Sequence, residues 1–268
     1  MSVTSNPPGT PHRWRKRAIY LRDLLVELVR RDIKIQFKRS SLGVFWALAH
    51  PLFQLLVFGF FFAKVLEMRV PRYSSYAFSG LMVWTWFAGS LSQGVRAMTG
   101  NRELIKRPGF PAAILPVVSV VTPGVHFLWG LPVLFVFLAM NQAPMNWSLL
   151  ILPALIFVQC LLSLSLIYFL AALNVVFRDT QHILAVLLQV GIFACPIFYE
   201  ARQVPERYQT FYNLNPMVHL IEAYRAVLLH GRLPEPRTLL LTTVLGGAVL
   251  FIAYKVFVAM SYRFAEEL

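Results

Sequence analysis

Long apolar blocks recur along this chain and constrain its fold more than any other feature. A helix needs about 20 apolar residues to cross roughly 30 Å of hydrocarbon, and each block is near that length or longer. The pattern predicts an all-α polytopic membrane protein with six transmembrane helices. The blocks cover residues 43–66, 76–99, 114–140, 147–177, 183–199 and 239–260.

The composition agrees with a membrane location. Hydrophobic residues make up 57% of the chain and charged residues only 14%, a balance that one water-soluble core could not hide. The net charge of +13 does not indicate nucleic-acid binding, because the basic residues crowd between apolar blocks instead of forming a soluble basic face. There they act as orientation signals and as contacts to anionic lipid headgroups.

The short loops set the expected orientation. Residues 102–107 and Arg178 carry positive charge on one side, and residues 141–146, which contain no Lys or Arg, lie on the other. The positive-inside rule therefore places the N- and C-termini in the cytoplasm. Residues 69–72 and 200–237 carry basic residues on the opposite side, although long loops report orientation poorly.

The N-terminal region divides into two parts. Residues 1–12 are polar and rich in Pro, which predicts a disordered arm. Residues 13–41 combine many basic side chains with apolar residues at helical spacing, which predicts an amphipathic interface helix on the cytoplasmic membrane surface. Residues 43–268 form the six-helix transmembrane domain.

A short helix is predicted between the fifth and sixth blocks. Asn215 can cap it and Pro216 suits its first position, so a helix over 217–229 follows. It is too short to span, so we expect a re-entrant or surface helix at the outer leaflet. Glu222 and Arg225, three residues apart, can pair with each other.

Catalytic and metal-binding patterns are missing from the sequence. Cys160 and Cys195 lie in apolar runs without neighbouring histidines, and neither a His-Glu-x-x-His nor a Gly-x-Ser-x-Gly motif occurs. The sequence also lacks a phosphate-binding loop of the Gly-x-x-x-x-Gly-Lys-Ser/Thr type. We expect no catalytic residue, metal or cofactor in this chain, so any ATP must be used by another subunit.

Two further features have a plain and a functional interpretation. The mixed-charge segment 100–111 is either a solvated loop or a short helix that docks into a groove on a partner. The abundant aromatic residues form a membrane-interface belt, or some of them line a pathway on which sugar rings can stack. The pathway candidates are Phe58, Phe62, Trp84, Trp86, Phe87 and Tyr199.

Four motifs carry a resemblance to a known family. Residues 31–51, 174–180, 195–199 and 213–217 resemble, in order, motifs of ABC type-2 exporter permeases. The resemblance is greatest to the permeases that move O-antigen, teichoic acid, capsule and related polysaccharides. It extends over nearly the whole chain except the basic N-terminal arm.

The resemblance implies an inner-membrane homodimer joined to two ATP-binding cassette subunits, which hold ATP and Mg. It implies a translocation path between two six-helix bundles for a lipid-linked polysaccharide. The resemblance also implies that the surface helix is an interface helix and that the helices after Asn215 cap the periplasmic exit. The implied coupling residues are Asn101, Arg102, Glu103, Leu104, Lys106 and Arg107, and the implied exit residues are Asn215, Pro216, Glu222 and Arg225.

Basic residues near the surface helix have two interpretations. They can meet the pyrophosphate of a lipid-linked glycan at its entry, or they can simply anchor the helix to anionic lipid. These residues are Arg30, Arg31, Lys34, Lys38 and Arg39.

Three other functions compete with the polysaccharide permease. A type-2 permease for drugs or simple lipids would share the fold and differ in its pathway. A membrane-embedded glycan enzyme should show an acid and base pair, which the sequence lacks. A scaffold protein would have no ATPase partner.

Overall fold

The computed structural model describes residues 11–38, 40, 43, 45–60 and 72–267. Within those residues the chain is helical and contains no strand. Short 3-10 helices cover Thr99–Asn101, Trp147–Ile151 and Ala201–Gln203. The α-helices are α1 Pro11–Gln36, α2 Phe45–Phe60, α3 Tyr73–Gly94, α4 Arg102–Ile105, α5 Ile114–Met140, α6 Leu152–Val176, α7 Thr180–Gly191, α8 Glu206–Asn213, α9 Pro216–Leu228 and α10 Pro236–Glu267.

The amphipathic N-terminal helix is present as α1. It begins at Pro11, a residue suited to a first turn because its missing N–H would be unpaired there. Leu28 and Val29 are buried against the bundle, whereas most basic side chains of α1 are exposed. The predicted arm over residues 1–12 falls, up to residue 10, outside the described residues.

Three helical stretches among the described residues are long and apolar enough to cross a membrane. They cover Ile114–Met140, Trp147–Val176 and Pro236–Ser261, which correspond to the third, fourth and sixth predicted blocks. The second block appears as the 22-residue helix α3, most of which is buried within the protein. The first block is described only as far as the end of α2, so the count of six spans stays a prediction.

The fifth predicted block is helical over only part of its length. Its helix, α7, ends at Gly191, and turns follow up to residue 198. Cys195, Ile197 and Phe198 in these turns are almost fully buried in the protein. The block is apolar partly because its second half packs inside the bundle, so hydropathy overestimated the length of the helix.

Two apolar clusters hold the helices together. The first centres on α3, α5, α6 and α9 and includes the buried residues Phe78, Leu155 and Tyr224. The second joins α1, α5, α6 and α10 around Met98 and Phe257. The helix α9 therefore packs within the bundle, although it is too short to cross a membrane.

Large apolar side chains also cover much of the outer surface. Ile183, Leu187 and Val190 of α7 are each about 60% exposed, and α2 and α10 carry similar faces. Exposed apolar area of this extent in a chain is covered by lipid or by another protein. The structure is that of a helical membrane protein.

Candidate coupling segment and exit helix

The predicted coupling segment forms one helical turn. The Thr99–Asn101 turn leads into α4, and Leu104 and Ile105 pack partly buried against the second apolar cluster. Glu103, Lys106 and Arg107 point outward and are exposed. The segment therefore has an apolar side anchored to the bundle and a charged side free to meet a partner.

A hydrogen bond ties this segment to the surface helix. Arg31 donates through Nη2 to the Asn101 side-chain oxygen at 2.9 Å and to Asp32 at 2.8 Å. Asn101 in turn donates to the Ala97 carbonyl at 2.9 Å. This hydrogen bond therefore joins α1 to the turn that leads into α4.

The other basic residues of the surface helix lie apart from this contact. Arg30 pairs with Glu27 at 3.4 Å, and both side chains are more than 70% exposed. Lys34 and Lys38 are exposed, whereas Arg39 lies outside the described residues. Of the four residues of this set that the structure describes, Arg31 is the one hydrogen-bonded to the coupling segment.

The aromatic pathway candidates occupy different places. Trp84, Trp86 and Phe87 are buried in the first apolar cluster. There the Trp86 ring stacks on the Phe127 ring, with 4.9 Å between the ring centroids. The phenol of Tyr199 donates to the Phe193 carbonyl at 2.8 Å. Phe62 and the side chain of Phe58 lie outside the described part of the chain.

The short helix α9 begins as its sequence indicates. The Asn215 side chain accepts a hydrogen bond from the Met217 N–H at 3.0 Å, and Pro216 occupies the first helical position. Glu222 and Arg225 form the predicted ion pair at 3.0 Å. These predictions from local sequence are confirmed.

Arg225 is buried inside the bundle, a feature that the sequence analysis did not predict. Its side chain is 1% exposed, whereas that of Glu222 is 44% exposed. Nη2 donates to the Ile197 carbonyl at 3.1 Å and to the Tyr76 carbonyl at 3.2 Å. The guanidinium also lies 3.4 Å from the centre of the Tyr76 ring. Arg225 thus fixes α9 to the start of α3 and to the turns after α7.

Burial lowers the pKa of Arg225 from its usual value, and the neighbouring Tyr76 and Glu222 groups oppose that shift. An arginine nevertheless stays charged in proteins, so a cation is held inside this end of the bundle. The sequence does contain a signal for the burial of Arg225. Ile221, Tyr224, Arg225 and Leu228 share the spacing of one helical face, which puts Arg225 on the apolar side of α9.

These features define a class of protein. Among the described residues, no cluster of His, Cys, Asp or Glu could hold a metal. The chain forms a helical membrane bundle with the amphipathic helix α1, the exposed charged segment around α4 and the packed short helix α9. It belongs to the ABC-2 type transporter family, whose profile matches residues 23–229. The chain is therefore a transporter permease subunit.

Individual relatives are similar over nearly the whole chain. The O-antigen export system permease protein RfbA of Myxococcus xanthus is 34% identical over 250 residues, which cover 92% of this chain and 96% of that protein. The RfbA protein of Klebsiella pneumoniae is 30% identical over 93% of this chain and 96% of its own length. The polysialic acid transport protein KpsM of Escherichia coli is 25% identical over 88% of this chain and 91% of its own length.

Proposed function

We propose that this chain is the permease of an ABC exporter that moves a lipid-linked polysaccharide across the inner membrane. The observation that carries the proposal is the similarity to O-antigen export permeases over more than nine-tenths of both chains. The similarity to a polysialic acid transport protein supports a polymeric sugar as cargo.

The proposal includes the assembly. Two copies of the chain form a homodimer and bind two ATP-binding cassette subunits, which carry ATP and Mg. The exposed charged side of the α4 segment supports docking to these subunits, and the exposed apolar faces of α2 and α7 support a partner or lipid contact. With six spans, the α4 end and both termini face the cytoplasm, and α9 lies at the periplasmic end.

The mechanism follows from these contacts. Closure of the ATPase pair displaces the docked α4 segment, and the Arg31–Asn101 hydrogen bond passes that displacement to α1. The two bundles then separate enough to admit a chain of sugars. The permease supplies the path and makes or breaks no covalent bond.

The test begins with co-purification of the chain with its candidate ATPase subunit. ATP hydrolysis is then measured in lipid, with and without a lipid-linked polysaccharide. We expect a stable complex whose hydrolysis responds to the glycan. Replacing Glu103, Lys106 and Arg107 together by Gln should abolish that response, because these exposed side chains form the docking side of the segment.

A matched control has the same charge change at the other end of the bundle. Arg232, Glu235 and Arg237 are also exposed, and replacing all three by Gln should leave the response intact. If no ATPase subunit binds, the exporter function is wrong. If one binds but responds only to drugs or simple lipids, the permease assignment stands and the polysaccharide substrate does not.

A further inference from the structure

A long groove runs along one face of α3, between α3, α5, the end of α1 and the start of α2. Its lining on α3 extends from Phe78 to Gln93, which corresponds to about 22 Å along a helix, and continues to Arg96 in the turn after α3. Its volume is about 360 Å³, within the range of ligand-binding cavities. The lining residues are Gln36, Trp46, Phe78, Met82, Thr85, Trp86, Gly89, Ser92, Gln93, Arg96, Pro123, His126, Phe127 and Gly130.

The groove changes character along its length. The part farthest from α4 is apolar, with Phe78, Met82, Phe127 and Gly130. The part nearer α4 carries amide, hydroxyl and guanidinium groups, which end at Arg96. A molecule with a long apolar chain and a polar head matches this gradient, because each end meets groups of its own polarity.

Two polar atoms in the groove lack a protein partner. Gln93 Oε1 and His126 Nε2 are buried and accept or donate no hydrogen bond within the described part of the chain. The rings of Phe37 and Trp129 lie 5.7 Å and 5.4 Å from the His126 ring. Buried polar atoms are normally paired, so these two atoms are available to a polar ligand, as are several other unpaired buried atoms elsewhere in the described residues.

Arg96 connects the groove to a second cavity. That cavity measures about 420 Å³ and lies between the end of α3 and the start of α7. Arg96 and Ser92 line both spaces, and Gln181 and His182 line only the second. Arg96 donates through Nε to the Ser92 carbonyl at 3.2 Å and forms no ion pair with a described residue.

No Asp or Glu of the described residues lines either space, so the guanidinium of Arg96 is the unopposed charge at their junction. This differs from the surface helix, where Arg30 pairs with Glu27 and Arg31 pairs with Asp32. An exposed arginine without an ion-pair partner among the described residues, between an apolar groove and a cavity of mixed polarity, suits a phosphate group that joins a lipid chain to a sugar.

We propose that the groove and the second cavity bind the lipid-linked end of a glycan. The lipid chain lies along α3 toward Phe78, the phosphate meets Arg96, and the first sugar occupies the space beside Gln181 and His182. This inference rests on the proposed function and assigns the substrate's phosphate to Arg96, not to the basic residues of α1. A bilayer phospholipid lacks the sugar that we place in the second cavity.

The test uses the full-length chain in lipid nanodiscs and measures binding directly. The probe is a short-chain polyprenyl diphosphate that carries one N-acetylhexosamine. The comparison ligands are the same lipid without sugar, the free sugar diphosphate and added phosphatidylglycerol. We expect the lipid-linked sugar to bind most tightly, because it alone fills all three parts of the site.

Three variants examine the three parts. Arg96→Gln should weaken binding of the lipid-linked sugar by about tenfold or more, through loss of a charge-assisted contact. Gly89→Leu should weaken both lipid ligands by placing a side chain in the groove. Gln181→Leu should weaken only the sugar-bearing lipid. Arg17→Gln, an exposed change on α1 away from both spaces, should bind as wild type.

Wild-type affinity in both Arg96→Gln and Gly89→Leu would overturn the proposal, as would equally effective competition by phosphatidylglycerol. Variants that have lost a normal thermal unfolding transition are replaced by Arg96→Lys and Gly89→Val, to which the same criteria apply. The proposed function can fail separately. Binding at Arg96 in a complex that does not respond to polysaccharide would refute export, whereas a normal glycan response in Arg96→Gln would refute only this site.

Discussion

Two arginines connect helices at opposite ends of this bundle, and they do so in different ways. Arg31 at the α4 end keeps 37% of its side chain exposed and makes one long-range hydrogen bond, to Asn101. Arg225 at the α9 end is 1% exposed and contacts two carbonyls, a carboxylate and an aromatic ring. The first contact can open and close in water, whereas the second cannot open without leaving a buried cation unpaired.

The difference fits different mechanical roles. In the proposed function, the segment that docks onto a moving partner shifts at low energetic cost, so a partly exposed contact suits it. The helix that closes the far end of the proposed pathway holds its position while the other end moves, so a desolvated polar network suits it. We therefore expect a compliant α4 end and a rigid α9 end.

The largest expected effect tests the rigid end. Arg225→Met keeps an apolar side chain of similar length but removes the donors to Tyr76 and Ile197, and we expect a loss of about 3 kcal/mol in the free energy of unfolding. Arg225→Lys should retain only part of the free energy of unfolding that Arg225→Met loses, because an ammonium does not reproduce the planar set of donors. Equilibrium unfolding in mixed micelles measures both.

A loss below about 0.5 kcal/mol for Arg225→Met would show that apolar packing replaces the network, as happens with some buried ion pairs. The two ends would then not differ in the way described. Glu222→Gln serves as the companion variant. Because Glu222 is 44% exposed, we expect its replacement to cost clearly less than that of Arg225.

The network around Arg225 also shows how far sequence reasoning reaches. The Asn215 cap, the Pro216 start and the Glu222–Arg225 pair involve near neighbours in the chain, and each was predictable. The carbonyls that bind Arg225 lie 149 and 28 positions away. No local pattern specifies contacts at that separation, since they depend on how α3 and the turns after α7 pack.

The prediction of helices from hydropathy was limited in a related way. It located α5, α6 and α10 closely, because these helices are apolar along lengths that suit a bilayer. It could not separate apolar residues that face lipid from those buried in protein, so it extended the fifth block through Ile197 and Phe198. The groove residues Gln93 and His126 were missed because single polar residues within apolar blocks form no recognisable motif.

A smaller effect is expected where α3 approaches Arg225. A Cβ added at Gly80 would lie 2.9 Å from Arg225 Nη2 and 3.3 Å from the Ile197 Cα, too close for either to stay in place. We expect Gly80→Ala to destabilise the fold by about 1–2 kcal/mol, after allowing for the better helix propensity of Ala. At Gly247, where no atom lies within 4 Å, the same change should be neutral or slightly stabilising.

The Gly80 prediction can be sharpened by combining Gly80→Ala with Arg225→Met. In the Arg225→Met background the Nη2 atom is gone, so Gly80→Ala should cost less there than in wild type. If the cost is unchanged, the Ile197 backbone and not Arg225 sets the limit at Gly80. In that case the α9 end owes its rigidity to close helix packing more than to its buried cation.

The smallest expected effect tests the compliant end. A double-mutant cycle with Arg31→Ala and Asn101→Ala isolates their hydrogen bond, because the loss of the Asn101 bond to Ala97 cancels between the two arms. With 37% of the Arg31 side chain exposed, we expect a coupling energy of about 0.5–1 kcal/mol in thermal unfolding. A coupling energy near 3 kcal/mol would mean that this contact resists opening as strongly as that of Arg225. The contrast between the two ends would then have to be abandoned.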